Sequence, residues 1–149
     1  MMTKILMLHG VNHNMFGKRD PEHYGTITLE EINQTIQELA NELNVEVETF
    51  QTNHEGEFVE KIHEAFLSGV DAIVLNAGAW THYSYAIRDA LDIFTGPTVE
   101  IHMSNIHARE SFREKSVFAD IVTGQISGFG KESYLLGIRA AVQAIKSNY

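Results

Sequence analysis

Short apolar runs alternate with segments of helical periodicity along the whole chain. Five runs are predicted to be β-strands: residues 4–8, 45–51, 71–76, 98–102 and 120–123. Four longer segments repeat apolar residues every three or four positions, which is typical of amphipathic helices: residues 29–43, 55–67, 83–94 and 131–146. Residues 104–112 begin like a further short helix. Strands that alternate with helices predict a parallel sheet covered on both faces.

The order of these elements predicts an α/β fold of the flavodoxin-like kind. This fold is a three-layer sandwich around a five-stranded parallel sheet with strand order 2-1-3-4-5. A length of 149 residues suits one such domain, so we expect a single domain over residues 1–149. Sheets of this kind bind ligands at the carboxyl ends of their strands, near the point where the strand order reverses. The segments that follow strands 1, 3 and 4 are therefore expected to meet in one site.

Composition narrows the classes of partner. The net charge is −9, from 11 basic and 20 acidic residues. No basic run exists that could displace counterions from nucleic acid or bind an anionic membrane, so neither partner is expected. The chain has no cysteine, which excludes disulfides and thiolate metal sites. The apolar start MMTKILML is too short for a signal peptide, and no stretch approaches a membrane span, which predicts a cytoplasmic location.

The segment after the first strand is unusually long and polar. Residues 8–25 read LHGVNHNMFGKRDPEHYG, and Arg19 and Tyr24 lie five positions apart across Asp20-Pro21, so a turn can bring them together. A phenol has an ordinary pKa near ~10 and is a poor base at neutral pH, but a neighbouring guanidinium favours its phenolate form. The pair is a candidate base with its activator. The alternative is a surface arginine beside a tyrosine that only packs on the loop.

Glu100 and His102 lie two positions apart in the fourth predicted strand, so their side chains share one face. Glu100 can accept a hydrogen bond from one ring nitrogen of His102, which fixes the tautomer and favours the imidazolium form. His102 is therefore a candidate general acid at a strand end. The alternative is a half-buried histidine that a neighbour satisfies.

Polar side chains also follow strands 3 and 4. Asn76 ends strand 3, His82 is placed at the start of the third helix, and Ser104 begins the segment after strand 4. Backbone amides at a helix start form a ready anion site. Asp89 lies on the third helix next to Arg88, and a local ion pair is its default interpretation.

Arg109 and Arg113 are four residues apart and would share one face of a helix. Two guanidinium groups on one face could bind an anionic substrate. The alternative is a solvated face on which these arginines pair with Glu110 or Glu114.

Metal and cofactor sites have weak support in the sequence. His9, His13, His102 and His107 could supply imidazole ligands, but their spacing matches no common metal motif. The GFG stretch at residues 128–130 lacks the third glycine of a dinucleotide fingerprint, and no phosphate loop of the Gly-Lys-Ser/Thr type occurs. We therefore expect no metal and no cofactor.

Six motifs occur in order along the chain. They are GxNxNxxGxRxPxxYG (10–25), TLEEI at the start of the first helix, NHEGE (53–57), NxGAxTHxSxAIRDAL (76–91), VEIHxSNIHARExFRxxS (99–116) and TGQIxGxG (123–130). With these motifs the sequence resembles the type II dehydroquinases (3-dehydroquinate dehydratases) over nearly its whole length.

This resemblance implies the anti elimination of water from 3-dehydroquinate to give 3-dehydroshikimate, without metal or cofactor. Tyr24 would be the base that removes a proton next to the ketone, and Arg19 would keep it ionised. Asn12 would hold the water that stabilises the enolate. His102 would protonate the departing hydroxyl, with Glu100 orienting it.

The resemblance also implies a binding site for a small anionic substrate. Asn76 and the backbone at Met103 and Ser104 would hold its carboxylate, and His82 and Arg113 would bind its ring hydroxyls. The first loop would be a lid that closes over the substrate and excludes water.

Assembly is implied in the same way. The family forms trimers that assemble into dodecamers, and Asp89 would reach into the site of a neighbouring subunit. The expected partners are therefore the substrate and further copies of the chain.

The sequence departs from the family pattern at five positions. His9, Val11 and His13 replace asparagine, proline and leucine in the first loop, and Ala77 and Trp80 replace proline and tyrosine further on. None is a position assigned to chemistry. Two alternatives remain: a divergent relative that dehydrates another polyhydroxylated cyclic acid, and a non-catalytic assembly of the same fold.

Overall fold

The computed structural model describes residues 2–147, in which five strands form one parallel sheet in the order β2-β1-β3-β4-β5. The strands are β1 (Lys4–His9), β2 (Glu46–Gln51), β3 (Ala72–Asn76), β4 (Thr98–His102) and β5 (Gly124–Ser127). The α-helices are α1 (Pro21–Tyr24), α2 (Leu29–Leu43), α3 (Glu55–Ser68), α4 (Tyr85–Ile93) and α5 (Glu132–Ser147). The predicted fold class and strand order are confirmed.

Helices cover both faces of the sheet, which makes three layers. Along β1, Ile5 and Met7 pack with α2 and α5 on one face, whereas Leu6 and Leu8 pack with α3 and α4 on the other. All four side chains are at most 1% exposed. A strand buried on both faces needs apolar residues at every position, which explains the continuous apolar runs in the sequence. No helix within residues 2–147 combines the length and apolar character needed to cross a membrane.

Side-chain caps set where the helices begin. Thr28 and Glu31 form the predicted capping box, with the Glu31 N–H donating to Thr28 Oγ1 at 3.2 Å, and α2 begins at Leu29 as predicted. Ser84 Oγ accepts from the Ile87 N–H at 3.1 Å, so α4 begins at Tyr85 and not at residue 83. A separate 3-10 helix, Gly78–His82, precedes it. His82 therefore ends this turn and does not begin α4.

The predicted fifth strand is in the wrong place. The N–H groups of Ile121 and Val122 both donate to the Phe118 carbonyl, at 2.9 and 3.1 Å, so residues 120–123 turn and are not extended. The side chains of Ile121 and Val122 pack on the α3–α4 layer. The strand that pairs with β4 is Gly124–Ser127, with His102 opposite Ser127.

Two short 3-10 helices replace the single helix predicted at residues 104–112. They are Ile106–Ala108 and Ser111–Arg113. Two more short helical segments, His13–Met15 and α1, lie in the long first loop, which the sequence indicated only as irregular. These segments surround the carboxyl ends of β1, β3 and β4.

Gly10 allows the segments after β1 and β3 to run side by side. His9 pairs with Asn76 in the ladder, and the Gly10 N–H continues it to the Asn76 carbonyl at 2.8 Å. A Cβ on Gly10 would lie 2.4 Å from the Ala77 carbonyl oxygen, so only glycine permits this approach. The two loops therefore start together at the reversal point of the sheet.

Candidate active site

A cavity of about 130 Å³ lies at the carboxyl ends of β1, β3 and β4. Its wall includes the three guanidinium groups of Arg19, Arg109 and Arg113, and no aspartate or glutamate of residues 2–147 lines it. The site is therefore positive inside a chain of net charge −9, which favours an anionic ligand.

The predicted contact between Arg19 and Tyr24 is present. Arg19 Nη2 donates to Tyr24 Oη at 3.0 Å, and the guanidinium carbon lies 3.8 Å from the centre of the tyrosine ring. The turn that joins them is α1, where Asp20 caps the Glu22 N–H and Pro21 occupies the first helical position. The loop thus presents the phenol oxygen to the cavity with a cation against it.

Arg109 is a second cation on the same phenol oxygen. Its Nη1 donates to Tyr24 Oη at 2.8 Å and to Ser104 Oγ at 3.1 Å. The Arg109 side chain is 9% exposed. The sequence indicated Arg109 only as part of a helical pair with Arg113, whereas the structure places its guanidinium between Tyr24 of the first loop and Ser104.

Glu100 and His102 form the predicted pair. The Nε2 atom of His102 lies 2.6 Å from Glu100 Oε2, and the two residues are 5% and 0% exposed. The other carboxylate oxygen accepts from Ser116 Oγ at 2.7 Å. An ionised carboxylate can only accept hydrogen bonds, so the hydrogen of this contact lies on Nε2 of His102. Because Ser116 holds Glu100 in place, the contact also fixes the orientation of the His102 ring.

Asn76 is held by Tyr134 from the last helix. Asn76 Nδ2 donates to Tyr134 Oη at 2.9 Å, and its Oδ1 accepts from the Gly78 N–H at 3.3 Å. Burial raises the pKa of the Tyr134 phenol, so this group stays neutral. One Asn76 amide hydrogen remains for a ligand, because only one is used by Tyr134.

His82 faces the cavity next to His102. Its Nδ1 lies 2.8 Å from the Lys115 carbonyl, which requires a hydrogen on Nδ1 and leaves Nε2 as an acceptor when the ring is neutral. The rings of His82 and His102 stack at 6.5 Å. Burial lowers the pKa of His82, opposed by the bond to Lys115. A neutral His82 suits the binding of a substrate hydroxyl.

Met103 and Ser104, where the sequence led us to expect a carboxylate site, line the cavity. The Ser104 carbonyl accepts from Ser127 Oγ at 3.0 Å, which fixes the backbone of this segment to β5. Arg113 also lines the cavity, but its guanidinium binds Glu110 through Nε and Nη2 at 3.2 and 3.3 Å. Arg113 thus pairs with a neighbouring glutamate, as the alternative interpretation predicted, and it also lies in the cavity wall.

Asn12 lines the cavity, and its backbone is in the left-handed region, with φ 70°. Its N–H donates to Asn53 Oδ1 at 2.8 Å, which ties the NHEGE motif to the first loop. Asparagine adopts this conformation more readily than most residues, so the amide side chain is compatible with the turn.

Asp89 lies outside this cavity and is exposed on α4. The local ion pair expected with Arg88 is wrong, because the Arg88 guanidinium binds Asp120, with Nη2 and Oδ2 3.1 Å apart. Asp89 therefore does not line the cavity formed by this chain.

The histidines considered as metal ligands have other contacts. His9 Nε2 lies 2.8 Å from Asn33 Oδ1, and His13 Nδ1 lies 3.0 Å from the Gly10 nitrogen. Within residues 2–147, the carboxylate and imidazole groups close enough for a shared ion belong to an exposed cluster at the lid helix: Asp20, Glu22 and His23. That cluster is explained by the capping of α1 and lies on the surface.

Three contacts of the site had no local signal in the sequence. Arg109, Ser116 and Tyr134 reach Tyr24, Glu100 and Asn76 across 85, 16 and 58 residues. Local spacing cannot reveal such contacts. The family motifs include Arg109 and Ser116, and this was the one signal that could have found them.

Comparisons with known proteins agree with this geometry. A family model described as Dehydroquinase class II matches residues 3–142. The chain is 63% identical to the 3-dehydroquinate dehydratase of Syntrophotalea carbinolica, over 97% of this chain and 98% of that protein. It is 60% identical to the 3-dehydroquinate dehydratase of Leptothrix cholodnii, over 96% of each chain.

Solved structures give the same result. The type II dehydroquinase of Butyrivibrio crossotus matches with a TM-score of 0.93 and 43% identity, over 95% of this chain and 98% of that chain. A 3-dehydroquinate dehydratase-like protein of Bifidobacterium longum matches with a TM-score of 0.73 and 30% identity, over 97% and 98%. By sequence and by structure, the chain belongs to the type II dehydroquinase family.

Proposed function

We propose that this protein dehydrates 3-dehydroquinate to 3-dehydroshikimate, as a lyase of the type II kind. Its relatives are named for this activity, and they are alike over nearly the whole chain. The observation that carries the proposal is one cavity with a phenol between two guanidinium groups and a buried Glu100–His102 pair. A base and an acid in one site are what an elimination requires.

The reaction begins at Tyr24. Its phenolate removes the proton from the carbon next to the ketone, and the electron pair moves onto the ketone oxygen to form an enolate. Arg19 and Arg109 stabilise the phenolate by charge-assisted hydrogen bonds at 3.0 and 2.8 Å. Asn12 holds a water that donates to the enolate oxygen.

The second step removes the hydroxyl. The enolate electrons return to form the conjugated double bond, the carbon–oxygen bond breaks, and His102 gives its proton to the departing oxygen as water forms. Glu100 stabilises the protonated ring through the contact at 2.6 Å. The carboxylate of Glu100 is itself held by Ser116, so the acid keeps its orientation while charge moves.

Substrate binding uses the remaining wall. Asn76 and the backbone at Met103 and Ser104 hold the carboxylate, while His82 and Arg113 bind the ring hydroxyls. Support comes from the positive lining of the cavity and from the free amide hydrogen of Asn76. When substrate binds, Arg113 has either to release Glu110 or to donate hydrogen bonds to Glu110 and to the substrate at once.

Assembly belongs to the same proposal: trimers form, assemble into a dodecamer, and place Asp89 in a neighbour's site. Asp89 is exposed on α4, and Tyr85 and Ile93 lie four residues to either side, 64% and 49% exposed. Residues four apart share one helical face. Large exposed apolar side chains on one helical face are more typical of an interface than of a free surface.

The test is to mix the purified protein with 3-dehydroquinate and follow the ultraviolet absorbance of the conjugated product. His102→Ala is expected to lose the activity, and His107→Ala, an exposed histidine five residues further on, to keep it. No turnover by a folded oligomer would refute the proposed substrate. Equal turnover by His102→Ala would refute the proposed acid.

A further inference from the structure

The first loop of this chain places an imidazole in the cavity wall at a position where the family motif has leucine. His13 begins the 3-10 helix His13–Met15, is 2% exposed and lines the cavity. Its ring stacks on Phe16 at 4.7 Å with an interplanar angle of 17°, and the Phe16 ring lies 5.8 Å from that of Tyr24. His13 therefore lies on the side of the cavity that holds the proposed base.

The hydrogen bonds of the ring identify its tautomer. The Gly10 N–H points between the Asn76 carbonyl at 2.8 Å and Nδ1 of His13 at 3.0 Å. A ring nitrogen that accepts from a backbone N–H carries no hydrogen itself. A neutral His13 therefore has its hydrogen on Nε2.

Burial keeps the ring neutral. The pKa of His13 is held well below its ordinary value by burial first, and then by the charges of His9, Arg19 and His102. A neutral donor repels neither Arg19 nor a protonated His102. It can therefore lie beside both throughout the reaction.

The Nε2–H has no acceptor among residues 2–147, although it lies in the wall of the cavity. It faces the backbone of Gly78, where a Cβ would lie 3.1 Å from Nε2. Nε2 of His13 is not one of the fully buried atoms that lack a partner, so it is open to the cavity. A ligand oxygen in the cavity would supply the missing acceptor.

We infer that the Nε2–H of His13 donates a hydrogen bond to the substrate oxygen on which the enolate charge develops. That oxygen is two bonds away from the carbon that Tyr24 deprotonates, so it lies on the side of the cavity that His13 shares with Tyr24, whose rings are joined through Phe16 behind the wall. Asn12, the preceding residue, is assigned to the same oxygen. The hydrogen stays on Nε2 throughout, so His13 binds the oxygen and transfers no proton. This inference rests on the proposed function.

Three substitutions test the hydrogen bonds of the two ring nitrogens separately. In His13→Gln the amide nitrogen lies near the place of Nε2, which keeps a donor to the cavity but loses the contact with Gly10. In His13→Asn the amide oxygen lies near the place of Nδ1, which keeps that contact but loses the donor. His13→Leu loses both and restores the residue of the family motif.

The measurements are kcat and KM for 3-dehydroquinate and the midpoint of chemical unfolding. We expect kcat to fall about 10- to 100-fold in His13→Asn and His13→Leu and to recover in His13→Gln, because a lost donor to a developing oxyanion acts in the transition state. The unfolding midpoint should instead be preserved in His13→Asn. A residue with a purely structural role would make kcat follow the unfolding midpoint.

Two results would overturn the inference while leaving the proposed function intact: wild-type kcat in His13→Leu, or an active His13→Asn together with an inactive His13→Gln. An inactive wild type would overturn the proposed function, and the inference with it. The wild-type assay therefore distinguishes the two failures.

Discussion

Arg109 Nη1 lies 2.8 Å from Tyr24 Oη although 85 residues separate them along the chain. The same nitrogen donates to Ser104 Oγ at 3.1 Å, so Arg109 connects the first loop to the segment after β4. Arg19 approaches the phenol oxygen from within the first loop itself, at 3.0 Å. The phenol oxygen of Tyr24 thus accepts hydrogen bonds from two guanidinium groups, and one of the two contacts depends on how the first loop packs on the segment after β4.

Replacement of Arg109 by methionine tests this contact. We expect kcat to fall about 10- to 100-fold, because one charge-assisted hydrogen bond is worth about 1.5–3 kcal/mol. Arg139→Met, at a side chain 53% exposed on α5, is the matched control and should behave like the wild type. Wild-type kcat in Arg109→Met would show that the contact of Arg109 with Tyr24 is not needed for turnover.

Removal of the Ser116 hydroxyl tests the support of the general acid. Ser116→Ala leaves Oε1 of the buried Glu100 without its donor, so we expect a loss of about 1–3 kcal/mol in the free energy of unfolding. A severalfold drop in kcat should accompany it because the carboxylate that orients His102 is less fixed. Ser111→Ala, at an exposed serine, should change neither quantity. If both variants had wild-type kcat, the Ser116 contact would serve stability alone.

Gly78 is a position where glycine is required by conformation. Its φ is +62°, and a Cβ would lie 3.1 Å from both His13 Nε2 and the Val11 carbonyl oxygen. We expect Gly78→Ala to lose about 1–3 kcal/mol of stability, measured by urea unfolding, and to displace the wall formed by the first loop. In Gly56→Ala no atom lies within 4 Å of the new Cβ, so this α3 variant should be at least as stable as the wild type. Equal stability of the two variants would contradict the strain argument.

Stability should depend on pH through the buried histidines. Burial lowers the pKa of His9 to about 4, against the raising effect of its bond to Asn33. The unfolded chain then binds a proton near pH 6.5 while the folded chain does not, so His9 leaves stability intact above pH 6.5 and reduces it as the pH falls towards 4. The loss from His9 alone is about 3 kcal/mol, and His13 adds to it in the same direction.

Denaturant unfolding at pH 7.0 and pH 5.0 measures this dependence. These two pH values lie on either side of about 6.5, the ordinary pKa of a histidine in an unfolded chain. His9→Asn, which introduces the residue of the family motif, should flatten the pH dependence. His107→Gln, an exposed histidine, should leave it unchanged. A pH dependence that persists fully in His9→Asn would exclude His9 as its source.

Mixed oligomers test the role of Asp89. If Asp89 completes a neighbour's site, Asp89→Asn and His102→Ala are each inactive alone. Subunits of the two variants, unfolded and refolded together in equal amounts, should regain about a quarter of the wild-type activity, since a random arrangement gives that share of intact sites. Asp92→Asn, at an exposed aspartate on the same helix, should be active by itself. No recovery in refolded mixed oligomers would place Asp89 outside the neighbour's site.

The sheet was predictable because its signal is local. β1 and β3 are buried on both faces, so their apolar runs are continuous, and the capping box at Thr28 starts α2 where the sequence predicts it. The prediction of the fifth strand was wrong because this strand lies at the edge of the sheet and is only partly buried. Its residues Gly124–Ser127 carry little apolar pattern, whereas the apolar Ile121 and Val122 serve a turn.

In the candidate site, too, contacts within one element were predictable and contacts between elements were not. The sequence by itself identified two candidate pairs, Arg19 with Tyr24 and Glu100 with His102, because five residues across a turn or two along a strand allow the side chains to meet, and the structure shows both contacts. The tertiary structure alone decided that Arg109 and Ser116 complete those pairs, since their contacts depend on how the carboxyl ends of separate strands meet. It also decided the direction of the His13 ring, because the Gly10 N–H that selects its tautomer is positioned by the pairing of β1 with β3. Spacing along a chain specifies neighbours within an element, and only the packing of elements specifies neighbours between them.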